Sequence, residues 1–283
     1  MLDSRGAVDL DVVVVNWNSG PLLERLLDSL EALRAQIASC VVVDNASSDG
    51  SEGAALREGV ELLRFPENRG FAAAANAGVA RGAATFFLLV NPDVEVRAPS
   101  VRGLCRELER RPEAGLACGR LVDAQGRSQF AFQVRSLPTL GRAVAENLFL
   151  DHLWPRRTPA EPAVPIEVEQ PAAAAWLVRR AAWEALGGLD EGFFPAWFED
   201  VDFCRRLRRA GWRMWYFPQY EFRHSGGYSV ERLGRERFHR HFRRNELRYW
   251  RKHHPAAASL LWLPNRLGLL LRCAGAWWVG RRS

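Results

Sequence analysis

Runs of apolar residues, broken by short polar and turn-forming stretches, divide the first hundred residues into a strand–helix alternation. Val12, Val13, Val14 and Val15 form an unbroken apolar run, which predicts a strand buried on both faces. After residues 16–20, Leu22, Leu23, Leu26, Leu27, Leu30 and Leu33 recur at helical spacing, with Pro21 suited to the first turn. Residues 40–44 predict a second strand, 45–50 a turn-rich loop, and a short helix then leads to a third strand near 60–65. Asn68-Arg69-Gly70 opens an alanine-rich helix from Phe71 to about Arg81. Phe86 to Val90 is a fourth buried strand that stops at Asn91-Pro92-Asp93, because Pro92 has no N–H to continue a ladder. This alternation predicts an α/β fold: a Rossmann-like, mostly parallel sheet with helices on both faces and right-handed crossovers. Residues 1–11 are mixed in character and predicted to fray.

The pattern is less regular further on. Residues 123–126 read as a hairpin turn and 137–150 as a helix, whereas 156–171, rich in Pro, Ala and Glu, read as a surface loop. Ordered structure is expected again at 172–185. Residues 198–210 have the spacing of a helix and 212–217 that of a strand. A basic helical segment near 230–253 and an apolar one near 259–279 close the chain. The expected division is a domain over 1–228, its nucleotide-binding part about 10–120 and its acceptor part about 121–228, followed by a helical extension over 229–283.

The 283 residues are 48% hydrophobic and 25% charged, an ordinary globular balance with core to spare. A net charge of +6 favours anionic partners. Five scattered cysteines with no C-x-x-C pair argue against a zinc site or a disulfide framework and for a reducing compartment. With no basic-then-apolar leader at the N-terminus, a cytoplasmic location is expected.

Chemistry gathers where strands end. Asp44 and Asp93 close two early strands and point to one rim of the sheet, the place where open α/β sheets bind ligands. There Asp44 can accept a hydrogen bond from a base N–H or a ribose hydroxyl, and Asp93 can carry a hard divalent cation and, through it, a phosphate. Taken alone, Asn-Pro-Asp reads better as a turn than as a metal site. No Gly-x-Gly-x-x-Gly follows the first strand and no Gly-Lys-Ser/Thr loop occurs, which excludes dinucleotide-fold and P-loop readings. Glu199, Asp200 and Asp202 open a helix, where helix capping competes with catalysis. The glycine-rich, aromatic approach at 187–197, with Phe194 and Trp197, suggests a tightly bent loop offering aromatic faces to a ligand. His224 arrives late enough to return to the rim that holds Asp93.

These segments, in this order, resemble family 2 glycosyltransferases of the GT-A fold, and most closely the rhamnosyltransferase-like members. The resemblance rests on Val13-Val14-Val15-Asn16-Trp17-Asn18, Val42-Val43-Asp44-Asn45-Ala46-Ser47-Ser48-Asp49-Gly50, Asn68-Arg69-Gly70-Phe71 through Asn76, Leu89-Val90-Asn91-Pro92-Asp93, Leu177-Val178-Arg179-Arg180, Gly187-Gly188-Leu189-Asp190-Glu191-Gly192-Phe193-Phe194, Glu199-Asp200-Val201-Asp202 and His224. It implies an inverting transfer of a sugar, L-rhamnose from dTDP-rhamnose in the first instance, to a glycan or lipid-linked acceptor. By the same resemblance Asp44 and Arg69, with Asn16, Asn76 and Asn91, bind the donor nucleotide. Asp93 and His224 hold Mg²⁺ or Mn²⁺. Asp200 is the catalytic base with Glu199 beside it, and Trp197, Phe194 and Asp202 lie toward the acceptor. Two departures stand out: Asn91 replaces the first carboxylate of the Asp-x-Asp motif, which lowers the charge at the metal site, and Ala172-Ala173-Ala174-Ala175 stands where relatives often carry Gly-Ala. A UDP-hexose donor and a noncatalytic nucleotide-sugar or polyanion-binding module are the alternatives.

From Glu231 to Lys252 nine Arg or Lys stand against three Glu, with aromatics interleaved. A solvated helix with one aromatic face packed on the domain is preferred here over nucleic-acid binding. Pro264, Arg266 and Arg272 argue against a membrane span at 259–279. Packing on the domain, packing on a second subunit as a homodimer, and lying in a membrane interface remain open for that segment, the last placing the enzyme at the inner face of the membrane.

Overall fold

The alternation of side chains along the first strands decides the layering. In the computed structural model, which describes residues 10–150, 160–226 and 232–279, β1 (Leu10–Asn16) is buried throughout. Val12 and Val14 face a core built on α1 (Leu22–Leu30) and α3 (Ala98–Arg110); Val13 and Val15 face one built on α2 (Phe71–Val79), α6 (Arg180–Ala185) and α7 (Glu199–Arg209). Both faces are thus covered, as an unbroken valine run requires. On the α2 side the approach is close: a Cβ at Gly78 would lie 2.5 Å from Val13 Cγ1.

β1 runs parallel to β2 (Ile37–Asp44) and β4 (Phe86–Val90), and β2 runs parallel to β3 (Glu61–Arg64). Register sets Asn16 beside Asp44 and Asp44 beside Arg64, so the polar residues collect at one rim. Further across, the sheet becomes mixed. β10 (Ala175–Arg179) is antiparallel to both β4 and β6 (Ala114–Val122), and β6 is parallel to β11 (Arg213–His224). The antiparallel entry follows from where the chain comes from: Ala174 O accepts the N–H of Asn91 at 2.9 Å, so β10 starts at the rim where β4 ends. Two short strands, β5 (Val94–Glu95) and β8 (Ile166–Glu167), flank β11.

Several expectations change. Leu10 and Asp11 are not frayed; Asp11 is buried and bonded to Arg180 and Ser39, both at 2.7 Å, because β1 begins there. Residues 160–171 are more than a surface loop, carrying β8 on β11 and β9 (Gln170–Pro171) paired with β7 (Val134–Arg135), with Val168 and Gln170 buried; residues 156–159 lie outside the described residues. The turn at 123–126 forms, closed by Asp123 and Arg127, and a short helix α4 (Phe130–Gln133) follows it. The helix expected at 137–150 is α5 (Leu140–Asn147). At the C-terminus stand α8 (Arg235–His253) and α9 (Pro255–Val279), which continues through Pro264. A third core joins this extension to the rest: Leu247, Tyr249, Trp250 and Leu261 pack with Phe193, Phe198 and Val201. Cys40, Cys105, Cys118 and Cys204 are free and buried.

Candidate active site

One cavity of about 410 Å³ opens at the rim where β1 and β4 end, between the two halves of the sheet. Asn91, Pro92 and Asp93 form one wall, Glu199 and Asp200 another, and residues 194–197 a third; Trp17, Asn45, Asn68, Phe132, Arg135, Ala172–Ala174 and His224 complete it.

Pairing of β5 with β11 brings Asp93 and His224 together. Val94 is registered opposite His224, and Ser225 N–H donates to Asp93 O at 3.0 Å. His224 Nε2 then stands 3.4 Å from Asp93 Oδ2. Gln129 fixes the imidazole. Its Nε2 donates to His224 O at 3.0 Å, so its Oε1, 2.6 Å from His224 Nδ1, must face a protonated Nδ1. With Nδ1–H donating to Gln129, Nε2 is the ring nitrogen that faces the carboxylate oxygen of Asp93. An imidazole nitrogen and a carboxylate oxygen this close form a donor pair that fits a divalent ion, with Nδ1 held by a hydrogen bond as in metal-binding histidines. Phe132 stacks on the ring at 5.6 Å. Among the described residues no three His, Cys, Asp or Glu side chains are placed to hold a metal, so phosphate oxygens of the ligand would have to complete the shell.

Across the cavity, α7 starts at Phe198, an N-cap residue that makes no side-chain cap bond, and its first turn carries Glu199 and Asp200. Asp200 Oδ2 accepts from Gln170 Nε2 at 3.0 Å and lies 3.3 Å from Arg135 Nη2, while Oδ1 accepts the Val201 N–H at 2.8 Å. Glu199 is buried and its Oε2 has no partner among the described residues. Burial, and then the neighbouring Asp200 charge, push its carboxyl well above the usual range. Two adjacent carboxyls thus differ sharply, one held by donors and the other favouring its proton.

The third wall is held from behind. Trp197 and Phe198 both take left-handed backbone angles, φ 73° and 75°, unfavourable for large side chains. Asn245 of α8 donates its amide to Phe194 O, Ala196 O and Trp197 O at 3.2, 2.8 and 3.1 Å. Phe238 packs edge-on against Trp197 at 4.8 Å, and Phe242 against Phe198 at 5.1 Å.

The cavity therefore gathers Asn91, Asp93, His224, Glu199, Asp200, Phe194 and Trp197. Other expected residues do not line it. Asn16 and Asp44 sit just beneath the rim, buried, with Asn16 Nδ2 donating to Asp44 Oδ1 at 2.8 Å and to the Ser47 and Ser51 hydroxyls. Asp44 Oδ2 accepts the Ser47 N–H at 3.1 Å. Arg69 is exposed and lies over Phe65 at 4.8 Å. Asn76 ties down the glycine-rich loop, exchanging hydrogen bonds with Leu189 O and Leu189 N–H, both at 2.9 Å. Asp202 is fully buried, and its partners are Arg206, Lys252 and His253; it neither reaches the cavity nor caps the helix. Gln129, Arg135 and Gln170 escaped sequence reading because isolated polar residues in irregular segments carry no periodic signal.

The family described as Glycosyl transferase family 2 matches residues 11–162. A curated relative, the N-acetylglucosaminyl-diphospho-decaprenol L-rhamnosyltransferase of Mycobacterium tuberculosis, is 34% identical over 244 residues, which cover 79% of this chain and 78% of that protein. Among solved structures, the mannosyltransferase PcManGT from Pyrobaculum calidifontis, in complex with GDP-Man and Mn²⁺, superposes with a TM-score of 0.59 at 18% identity, covering 98% of this chain and 76% of that one. GalNAc-T7 with UDP, GalNAc and Mn²⁺ gives 0.58 at 17%, covering 78% and 44%. At such identities these two likenesses speak for the GT-A fold alone. With the family matched over more than half its length and the relative over most of it, this chain belongs to glycosyltransferase family 2.

Proposed function

We propose that the enzyme transfers a sugar, L-rhamnose from dTDP-rhamnose, to a hydroxyl of a lipid-linked glycan, with inversion at the anomeric carbon. The observation that carries the reading is that Asp93 with His224 and Asp200 with Glu199 face one cavity from different walls. The name of the M. tuberculosis relative supports the choice of sugar and the class of acceptor.

Asp44, with Asn16, is assigned to the pyrimidine and ribose through lone pairs its present bonds leave over, and Asn91 to the phosphates. Arg69 and Asn76 serve the donor indirectly, through the turn before α2 and through the 187–189 loop. Asp93 and His224 would hold Mg²⁺ or Mn²⁺, which when bound neutralises charge on the leaving diphosphate. Asp200 is the general base: it takes the proton of the acceptor hydroxyl as that oxygen bonds to the anomeric carbon and the bond to the diphosphate breaks. Arg135 and Gln170 hold Asp200 in place. Trp197 and Phe194 give the acceptor sugar flat apolar surfaces.

The extension is assigned to a lipid surface. Leu260, Leu263 and Leu270 of α9 are 68%, 66% and 67% exposed, in line with Trp262, Leu267 and Leu271, while Leu261 and Asn265 pack inward. On its flank, Arg240, Arg244 and Arg251 of α8 meet Arg266 and Leu269 of α9, a basic border that suits an anionic bilayer better than a second copy of the same basic chain. Among the described residues no helix is long and apolar enough to cross a membrane.

The test is a screen of dTDP and UDP sugars with and without Mn²⁺, scored by nucleotide release in the wild type and in Asp200→Asn. Asp200→Asn should bind dTDP as the wild type does and lose transfer by about 10²-fold or more. Turnover that survives in Asp200→Asn removes the assigned base; no binding of any nucleotide sugar by the wild type removes the whole reading.

A further inference from the structure

Behind the wall at residues 194–197 lies a second cleft, of about 620 Å³, in which Arg244, Arg248, Arg251 and Lys252 of α8 face Asp190 and Gly192. Four cations there meet one carboxylate. Asp190 pairs with Arg248 at 3.1 Å and Lys252 at 2.7 Å, and Lys252 is also held at 2.8 Å by the buried Asp202. Arg244 donates only to the main-chain oxygen of Phe194, and Arg251 makes no hydrogen bond or ion pair with the described residues. Two guanidinium charges are therefore uncompensated in a concave site, where fields concentrate.

The site is shaped as well as charged. The absence of a side chain at Gly192 leaves room for the Arg248 guanidinium, which a Cβ there would meet at 1.9 Å, to lie across the loop. Arg248 and Lys252 lie over the Phe193 ring at 5.4 and 5.8 Å. Arg244 and Arg251 also line a small pocket against Arg266 and Leu269 of α9. The charged cleft thus continues to the flank of the helix whose outer face is leucine. A ligand that fits has phosphate groups for planar guanidinium forks and an apolar chain leading away along α9.

We propose that this cleft seats the diphosphate of the lipid-linked acceptor. The inference rests on the glycosyltransferase reading and adds to it a second anion site, separate from that of the donor. Arg244 and Asn245 both donate to Phe194 O, so one peptide separates the two sites. A sugar on a diphosphate anchored here would reach over residues 194–197 toward Asp200.

The same chemistry could come from phospholipid headgroups, and vesicle composition separates the sources. The full chain would be titrated with phosphatidylcholine vesicles carrying a polyprenyl diphosphate, and with vesicles carrying phosphatidylglycerol at equal surface charge. Diphosphate vesicles should bind about tenfold tighter, and Arg251→Gln should abolish that preference, a charge-assisted hydrogen bond being worth about 1.5–3 kcal/mol. Affinity for dTDP and UDP should not change. Arg244→Gln should act in the same direction; should it fail to fold, Arg251→Gln, which removes no contact within the protein, decides alone. Equal binding to the two vesicle types, or an unchanged preference in Arg251→Gln, overturns the proposal. Loss of nucleotide binding in the wild type would instead sink the glycosyltransferase reading, and the vesicle result would still stand by itself.

Discussion

Replacing Asp202 by Asn keeps the side chain's volume and removes a buried negative charge that joins α7 to the end of α8. Its Oδ1 accepts from His253 Nε2 at 2.7 Å and Lys252 Nζ at 2.8 Å, and its Oδ2 from Arg206 Nε at 2.7 Å. Burial alone would raise this carboxyl; the bonds from His253 and Lys252 and the Arg206 charge outweigh it and bring it from 3.8 down to about 2. That difference corresponds to roughly 2.5 kcal/mol in favour of the ionised form, without discount for screening because the side chain is fully buried. The value is a floor for Asp202→Asn, since three donors lose their partner and breaking a buried pair costs about 3–5 kcal/mol. For a chain of this size the melting temperature should fall by roughly 5–10 °C. Denaturant titration should show a lower midpoint with an unchanged slope. The pH dependence has a definite sign. A depressed folded value means that the stabilisation is complete above about 4 and is lost as pH falls toward 2, so the wild-type advantage should be full at pH 5–7 and shrink below pH 4. A variant within 0.5 kcal/mol of the wild type at pH 7, or a gap indifferent to pH between 7 and 3, would refute the reasoning.

Glu199→Gln should behave oppositely, because burial and then Asp200 hold the Glu199 carboxyl high. Glutamine mimics the protonated form, so the variant's stability relative to the wild type should rise as pH goes from 4.5 to 8; a falling difference in the same titration rules out a protonated Glu199. Gln129→Leu removes the acceptor that fixes the His224 tautomer and should weaken Mn²⁺ binding in the presence of dTDP by roughly 10- to 100-fold, read from the electron paramagnetic resonance of free Mn²⁺. Unchanged Mn²⁺ affinity in that variant would remove Asp93 and His224 as the metal pair.

Local pattern revealed the parallel half of the sheet, since an unbroken valine run and a helix of leucines leave few other structures to choose from. It also marked the rim, because Pro92 ends β4 wherever the rest of the chain goes. What it could not show was set by distant pairings. β11 runs for 12 residues through Pro218, with a register shift between Phe217 and Glu221, before it delivers His224, so its length is invisible to alternation. Asp202 has the spacing of a capping residue, and the return of α8 adds Lys252 and His253 to Arg206 of its own helix in holding it inward. Asn16 reads as a rim residue, and its burial depends on two serine hydroxyls roughly thirty residues away in sequence. The ordered set of segments carried the family, while the identity of the residues that orient Asp200 and His224 waited on tertiary contacts.

The three hydrogen bonds from Asn245 make the active-site wall and the C-terminal helices a single lever. A helix whose side chain grips three carbonyls of one loop, those of Phe194, Ala196 and Trp197, cannot slide or tilt without dragging them or breaking those bonds. α9 packs on α8, so the leucine face and Trp197 are joined through one continuous set of contacts. On the acceptor role proposed for residues 194–197, substitutions on the outer surface that never touch a sugar should alter acceptor access.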